Sequence, residues 1–188
     1  MLAKRMTAIA MASALGAIFS APLAVADTTP TKERAAAQEE ISDRLNNFER
    51  DAAEMRTDLD RYAASMRGHN PATFIHASTL NDAKDQVNSL GRQLSVLEEL
   101  SSQGNSLQQS AIREARPHLE AVADHVQDAI LMFNENQRNT HMLDFRETVT
   151  SMYERADDLY VRVDAITDSE KAPGEAIRNN TFTAADVG

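Results

Sequence analysis

The sequence predicts an all-α protein, an antiparallel up-down-up-down four-helix bundle with heptad packing. Three observations carry this: apolar residues recur at steps of 3 and 4 in four segments, turn signals separate those segments, and no stretch shows the strict alternation of a strand. The first segment reads Ile41, Leu45, Phe48, Ala52, Met55, Leu59, Tyr62, Met66 and the second Leu80, Ala83, Val87, Leu90, Leu94, Leu97. The third reads Ile112, Ala115, Leu119, Val122, Val126, Ala129, Phe133 and the fourth Met142, Phe145, Val149, Met152, Ala156, Leu159, Val163, Ile166. A seam of period 3.5 on a helix has to face other helices.

Residues 1–26 read as a secretory signal peptide: Lys4 and Arg5 form a positive n-region, Met6 to Phe19 is uncharged and apolar or small, and Ala24-Val25-Ala26 offers a cleavage site. The apolar run is shorter than the ~20 residues that span a bilayer. With no cysteine there is neither a lipid attachment point nor a disulfide, so stability has to come from packing. The expected mature protein is periplasmic or extracellular and free of the membrane. Of 19 basic residues, removing Lys4 and Arg5 leaves 17 against 29 acidic ones, a formal charge of −12. Such a surface repels phosphate backbones and argues against a nucleic-acid partner.

Helix 1 is expected to open at Thr29-Pro30 and end at Gly68. Asn70-Pro71 repeats the cap-plus-proline signal for helix 2, which Gly104 closes. Ser106 with Gln109 reads as a capping box for helix 3. Asn139 and Thr140 separate helices 3 and 4, Asp144 suits the first turn of helix 4, and Pro173-Gly174 is expected to stop it. The bundle thus spans 27–170, and the tail 171–188, which holds the sequon Asn179-Asn180-Thr181, has no apolar period and reads as disordered. Pro117, inside helix 3, is expected to kink it near Arg113–Arg116. Gly91, inside helix 2, suggests close approach to a neighbouring helix or to a partner.

Antiparallel pairing across these short turns sets a register. From the first turn downward the layers are Met66/Thr73/Phe133/Met142, then Tyr62/His76/Ala129/Phe145, then Leu59/Leu80/Val126/Val149, and so on to Leu45/Leu94/Ile112/Val163. Off the seam of helix 3, Ala111, Ala123, Ile130 and Met132 widen the core contact or form a dimer face, so a monomer or a weak homodimer is expected.

His76 is the one titratable group placed squarely on a seam, with Tyr62 as the expected partner of a ring nitrogen. His69, His76 and His141 fall near one end of the bundle with Met66, Met132 and Met142, and imidazole with thioether is a ligand set for copper or b-type haem. Ordinary core and loop roles explain the same residues, so no metal or cofactor site is assigned. His118 and His125 lie about 10 Å apart along the helix axis, too far to share an ion, and read as surface residues. No Glu-x-x-His, Cys-x-x-Cys-His, phosphate-binding glycine loop or nucleophile elbow occurs, so no catalytic residue is assigned and no enzymatic activity is expected. Carboxylates such as Glu49, Asp58 and Glu98 are expected on solvated faces.

The pattern His76-x-x-x-Leu80-x-x-x-Lys84-x-x-Val87-Asn88-x-x-Gly91-x-x-Leu94, followed by Gln108-Gln109-x-Ala111-Ile112-x-x-x-x-Pro117, resembles secreted bacterial helical-bundle proteins of unassigned function. The resemblance covers helices 2 and 3. Those proteins carry a Trp before the glutamine pair, where this chain has Leu107. It implies export and an all-helical fold, and no activity. The expectation is therefore an exported, non-enzymatic bundle that is structural or binds a protein or peptide in the cell envelope. A small copper or haem protein is the alternative, and an envelope chaperone a further one.

Overall fold

A computed structural model describes residues 29–68, 71–138, 140 and 142–182, with side chains from 31 to 67 and from 71 to 169 within that set. The leader 1–26, His69, Asn70, Asn139 and His141 lie outside the described residues. The elements are α1 (Thr29–Gly68), α2 (Thr73–Leu100), a 3-10 turn (Ser101–Gln103), α3 (Ser106–Glu135) and α4 (Leu143–Phe182). Among the described residues there is no strand.

α1 packs on α2 and α4, and α3 packs on α2 and α4; the α1–α3 diagonal barely meets and the α2 and α4 backbones stay apart. This cyclic order is that of a four-helix bundle joined by short turns. Side-chain bridges fix direction and register. Asp51 accepts from Gln93 at 2.7 Å and Asp58 from Gln86 at 2.9 Å: one heptad forward on α1 is one heptad back on α2. Across α1–α4, Glu49 accepts from Thr167 at 2.6 Å, and a heptad later the Arg56 guanidinium lies 5.2 Å from the Tyr160 ring centroid, a heptad earlier on α4. Both pairs of helices are antiparallel.

The core is one continuous cluster along the four seams, from Ile41 and Leu97 at one end to Met66 and Phe133 at the other. The seams hold except at their ends. Thr73 and Met142, placed by the sequence in the outermost layer, are exposed: each stands at the very start or just outside its helix. Val87 is half-buried, and Thr167, rather than Ile166, takes the last inward position of α4.

The helix ends differ from expectation in three places. The capping box of α3 sits one residue earlier than Ser106/Gln109: Asn105 Oδ1 accepts from the Leu107 and Gln108 amides, and Gln108 Oε1 accepts from the Asn105 amide, all at 2.9 Å. Asn presents the same acceptor as Ser one position upstream, and its reciprocal partner is then Gln108. α2 begins two residues after Pro71, with Ala72 as its N-cap and no side-chain cap. α4 does not stop at Pro173-Gly174 but continues to Phe182, so the segment from 171 to 182 is helical rather than disordered; a proline removes one hydrogen bond and bends a helix without having to end it. α3 continues through Pro117, as a helix kinked there also does; Pro117 and Arg113 both face solvent, where water can satisfy the Arg113 carbonyl.

The glutamine pair and the glycine before it form the seal of the α2–α3 end. Gln108 is buried, and its amide donates to the Gln38 carbonyl and the Ser42 hydroxyl of α1, both at 2.9 Å. Gln109 donates to the Gly104 carbonyl at 2.9 Å. A Cβ on Gly104 would lie 3.0 Å from Gln108 Oε1, so a side chain there would displace the cap.

Candidate functional site

Two places merit a functional reading: the layer around His76 and the outer grooves between helices. His76 is 0% exposed. It sits on α2 because its seam position repeats that of Leu80 and Ala83, and helical side chains lean toward the N-terminus, which carries its ring toward the first turn. Tyr62 Oη lies 2.7 Å from Nδ1. Three rings enclose the imidazole: Tyr62 at 5.7 Å, Phe145 at 5.6 Å and Phe133 at 6.2 Å between centroids. The sequence placed Phe133 one layer nearer the turn; its large ring reaches back over the small Ala129 to meet the histidine.

Burial lowers the His76 pKa below its ordinary value, because a charged ring there loses its water; the Pro71 carbonyl opposes this in part. No acceptor stands in hydrogen-bonding geometry with Nε2, which is buried and unpartnered. Burial likewise pushes the Tyr62 phenol up, so it stays protonated. With the phenol donating to Nδ1, the neutral ring carries its proton on Nε2. The pair is a sealed polar contact in an aromatic box, and nothing about it opens to a substrate.

Of the other candidate ligands, Met66, Met132 and Met142 lie among the described residues. Met66 is buried. Met142 is 49% exposed and shares a shallow cleft of about 180 Å³ with Met132, Glu135, Asn136, Asp144 and Phe145. The Met132 sulfur accepts from the Thr148 hydroxyl at 3.4 Å. His69 and His141 lie outside the described residues. Among the described residues no group of three or more His, Asp or Glu side chains is arranged to hold a metal ion. His118 and His125 are half-buried on α3.

The carboxylates expected on solvated faces and in helix ion pairs also reach across to other helices. Asp58 binds Gln86 and Arg61, Glu49 binds Thr167, and Glu98 binds Arg116, which holds the Glu98 carboxyl below the usual range. Arg56 and Asp157 form a close ion contact between α1 and α4, although its angle leaves the buried Arg56 Nε without a well-formed hydrogen bond. Side chains one residue off the seam therefore bridge outer grooves without filling them: clefts of about 350 and 360 Å³ lie along α1–α2 beside Asp58–Gln86 and Asp51–Gln93. The α2–α3 groove includes Gly91, where a Cβ would meet nothing within 4 Å. The expected close approach of a neighbouring helix at Gly91 does not occur; the cleft beside it measures about 420 Å³. No signal in one seam could have shown this, because it depends on which helix stands next to which flank.

No described helix is long and apolar enough to cross a membrane. No protein-family model, curated protein or solved structure matches the chain.

Proposed function

We propose that the protein is an exported, non-enzymatic helical bundle of the cell envelope, periplasmic or extracellular, that acts through its outer surface by binding a protein or peptide. One observation carries the reading: the titratable pair of the core layers described, His76 and Tyr62, is sealed at 0% and 3% exposure, so the core offers no reaction chamber and chemistry is left to the outside. The leader-like residues 1–26 support export.

A copper or b-type haem protein remains the alternative on the strength of a single atom, Nε2 of His76, which is unpartnered and becomes a ligand when the ring proton moves to Nδ1 and is donated to the Tyr62 oxygen. Titrating the purified protein with haemin and with Cu(II) separates the two. The binding-module reading expects no Soret band, no copper band and an unchanged melting curve. A saturable band lost in His76→Leu would overturn it. Export is checked by fractionating the source cells and sequencing the N-terminus of the protein; an intact leader on a cytoplasmic chain would sink that part.

A further inference from the structure

The first turn of α2, Thr73–His76, is held differently from the rest of its helix. Thr73, Phe74 and Ile75 are exposed, His76 is buried, and the next buried residue along α2 is Leu80. Ala72, the N-cap, has the extended backbone a cap requires but no side chain that accepts from the free amides of the turn, and no acid stands in the first turn to meet the helix dipole. The His76 amide reaches the Ala72 carbonyl at a long 3.4 Å. Among the described residues, Tyr62–His76 is the one side-chain hydrogen bond that joins the first two turns of α2 to another helix; the further ties to α1 begin at Gln86. What keeps this turn closed is thus concentrated in one ring.

That ring has no counter-charge. α1 faces it with Tyr62, whose phenol stays protonated, α3 with Phe133, α4 with Phe145, and the turn before α2 with the Pro71 carbonyl. None of these groups carries a charge. The neutral ring accepts at Nδ1 from Tyr62. A protonated ring presents two N–H donors. The phenol oxygen can accept from Nδ1, but Nε2 has no acceptor in hydrogen-bonding geometry, and a charge buried without a partner is costly. Unwinding Thr73–His76 takes that charge to water and carries no other buried side chain with it.

We propose that the first turn of α2 is an acid-released latch: protonated His76 leaves its box as Thr73–His76 unwinds, while the bundle from Leu80 onward stays closed. Release uncovers Phe133 and Phe145 at the end of the bundle where Phe74, Met142 and Leu143 are already exposed, so acid enlarges the apolar surface of that end. The latch goes beyond the binding-module reading and does not depend on it, because opening is read without any ligand.

The sign follows from linkage. In the open turn the ring titrates near its ordinary 6.5, and in the box lower, because burial strips its water. The open population is therefore constant above about pH 6.5 and rises, by up to about tenfold per pH unit, as pH falls from there toward the boxed value.

The amides of Ala77, Ser78, Thr79 and Leu80 donate to the carbonyls of this turn, so their hydrogen exchange reads the latch directly. Exchange is followed by NMR on the full chain and divided by the rates of an unstructured chain at each pH. Protection of these four amides is expected to hold from pH 7.5 to 6.5 and to fall at least about fivefold from pH 6.5 to 5, with little dependence on low urea. Amides of Val87–Leu97 should keep at least about tenfold more protection at pH 5, with a steep urea dependence. In Tyr62→Phe/His76→Leu the fall with pH should vanish. Ala72→Ser supplies the missing cap without touching the box, and should raise protection of the four amides about fivefold at every pH while leaving Val87–Leu97 unchanged. The pH profile of the native chain and this cap variant decide the matter even if the double variant does not fold. Protection that is flat with pH, that falls as steeply in the folded double variant, or that ignores Ala72→Ser would overturn the proposal. So would four amides that match Val87–Leu97 in protection and urea slope at pH 5, since the ring would then leave only with the whole bundle.

Discussion

Acid should loosen this bundle through His76 before its carboxylates begin to titrate. The unfolded chain binds a proton at His76 near pH 6.5, whereas the folded chain resists it because the ring is 0% exposed and boxed by Tyr62, Phe133 and Phe145. A folded-state pKa below the unfolded value gives a contribution that is complete above about pH 6.5 and is lost as pH falls toward the folded value. Between the two, each pH unit removes about 1.4 kcal/mol. From pH 6.5 to 5 the loss is therefore at most about 2 kcal/mol, a sizeable part of the 5–15 kcal/mol typical of a domain. Glu98, held low by Arg116, adds its own loss only below its ordinary value of 4.5, and its exposed ion pair makes that loss small. The assay is urea unfolding at pH 7.5, 6.5, 5.8 and 5.0 of the native chain and of Tyr62→Phe/His76→Leu, which removes both polar partners together. The native chain should lose stability across this range and the double variant should stay nearly flat. Parallel slopes for the two proteins would refute the reasoning, because then the proton taken up on unfolding belongs elsewhere.

Leu59→Ala, in the central layer with Leu80, Val126 and Val149, should lower stability by about 2–5 kcal/mol in urea unfolding, since all four are buried; a loss under about 1 kcal/mol would mean the site collapses freely. Gly91→Ala should raise the urea midpoint, by about 0.5–1 kcal/mol in stability, because an added methyl meets nothing; a fall would show a clash that the open groove excludes. Gln108→Ala should cost about 1–3 kcal/mol, since it strands the Asn105 amide and removes the two bonds to α1. Amide hydrogen exchange at Asn105 should accelerate in the same variant.

The seams were legible from the sequence because a buried helix face has to be apolar at every turn, and that constraint is repeated often enough to read. The Tyr62–His76 contact was legible for the same reason: antiparallel pairing across a short turn forces those two numbers together. What escaped was decided by neighbours. Asn105 and Ser106 are both good caps, and only the placing of Gln108 against α1 selects the first. Phe133 left its layer because Ala129 below it is small. Thr73 and Met142 fit the period but lie where the helices run out. Pro173 is a strong breaker locally, yet α4 continues through it to Phe182. Whether Glu49, Asp58 and Glu98 point to water or across a groove follows from helix order and flank, which no single helix contains.

The closing of α4 onto α1 has a consequence in time. Every core layer draws one wall from the last helix, so no layer closes before Phe145 is made and the last closes only at Val163. At the usual 5–20 residues per second of synthesis, the first three helices wait for the fourth with their seams uncovered. A chain that closes this late keeps apolar seams open to other chains until its last helix has emerged.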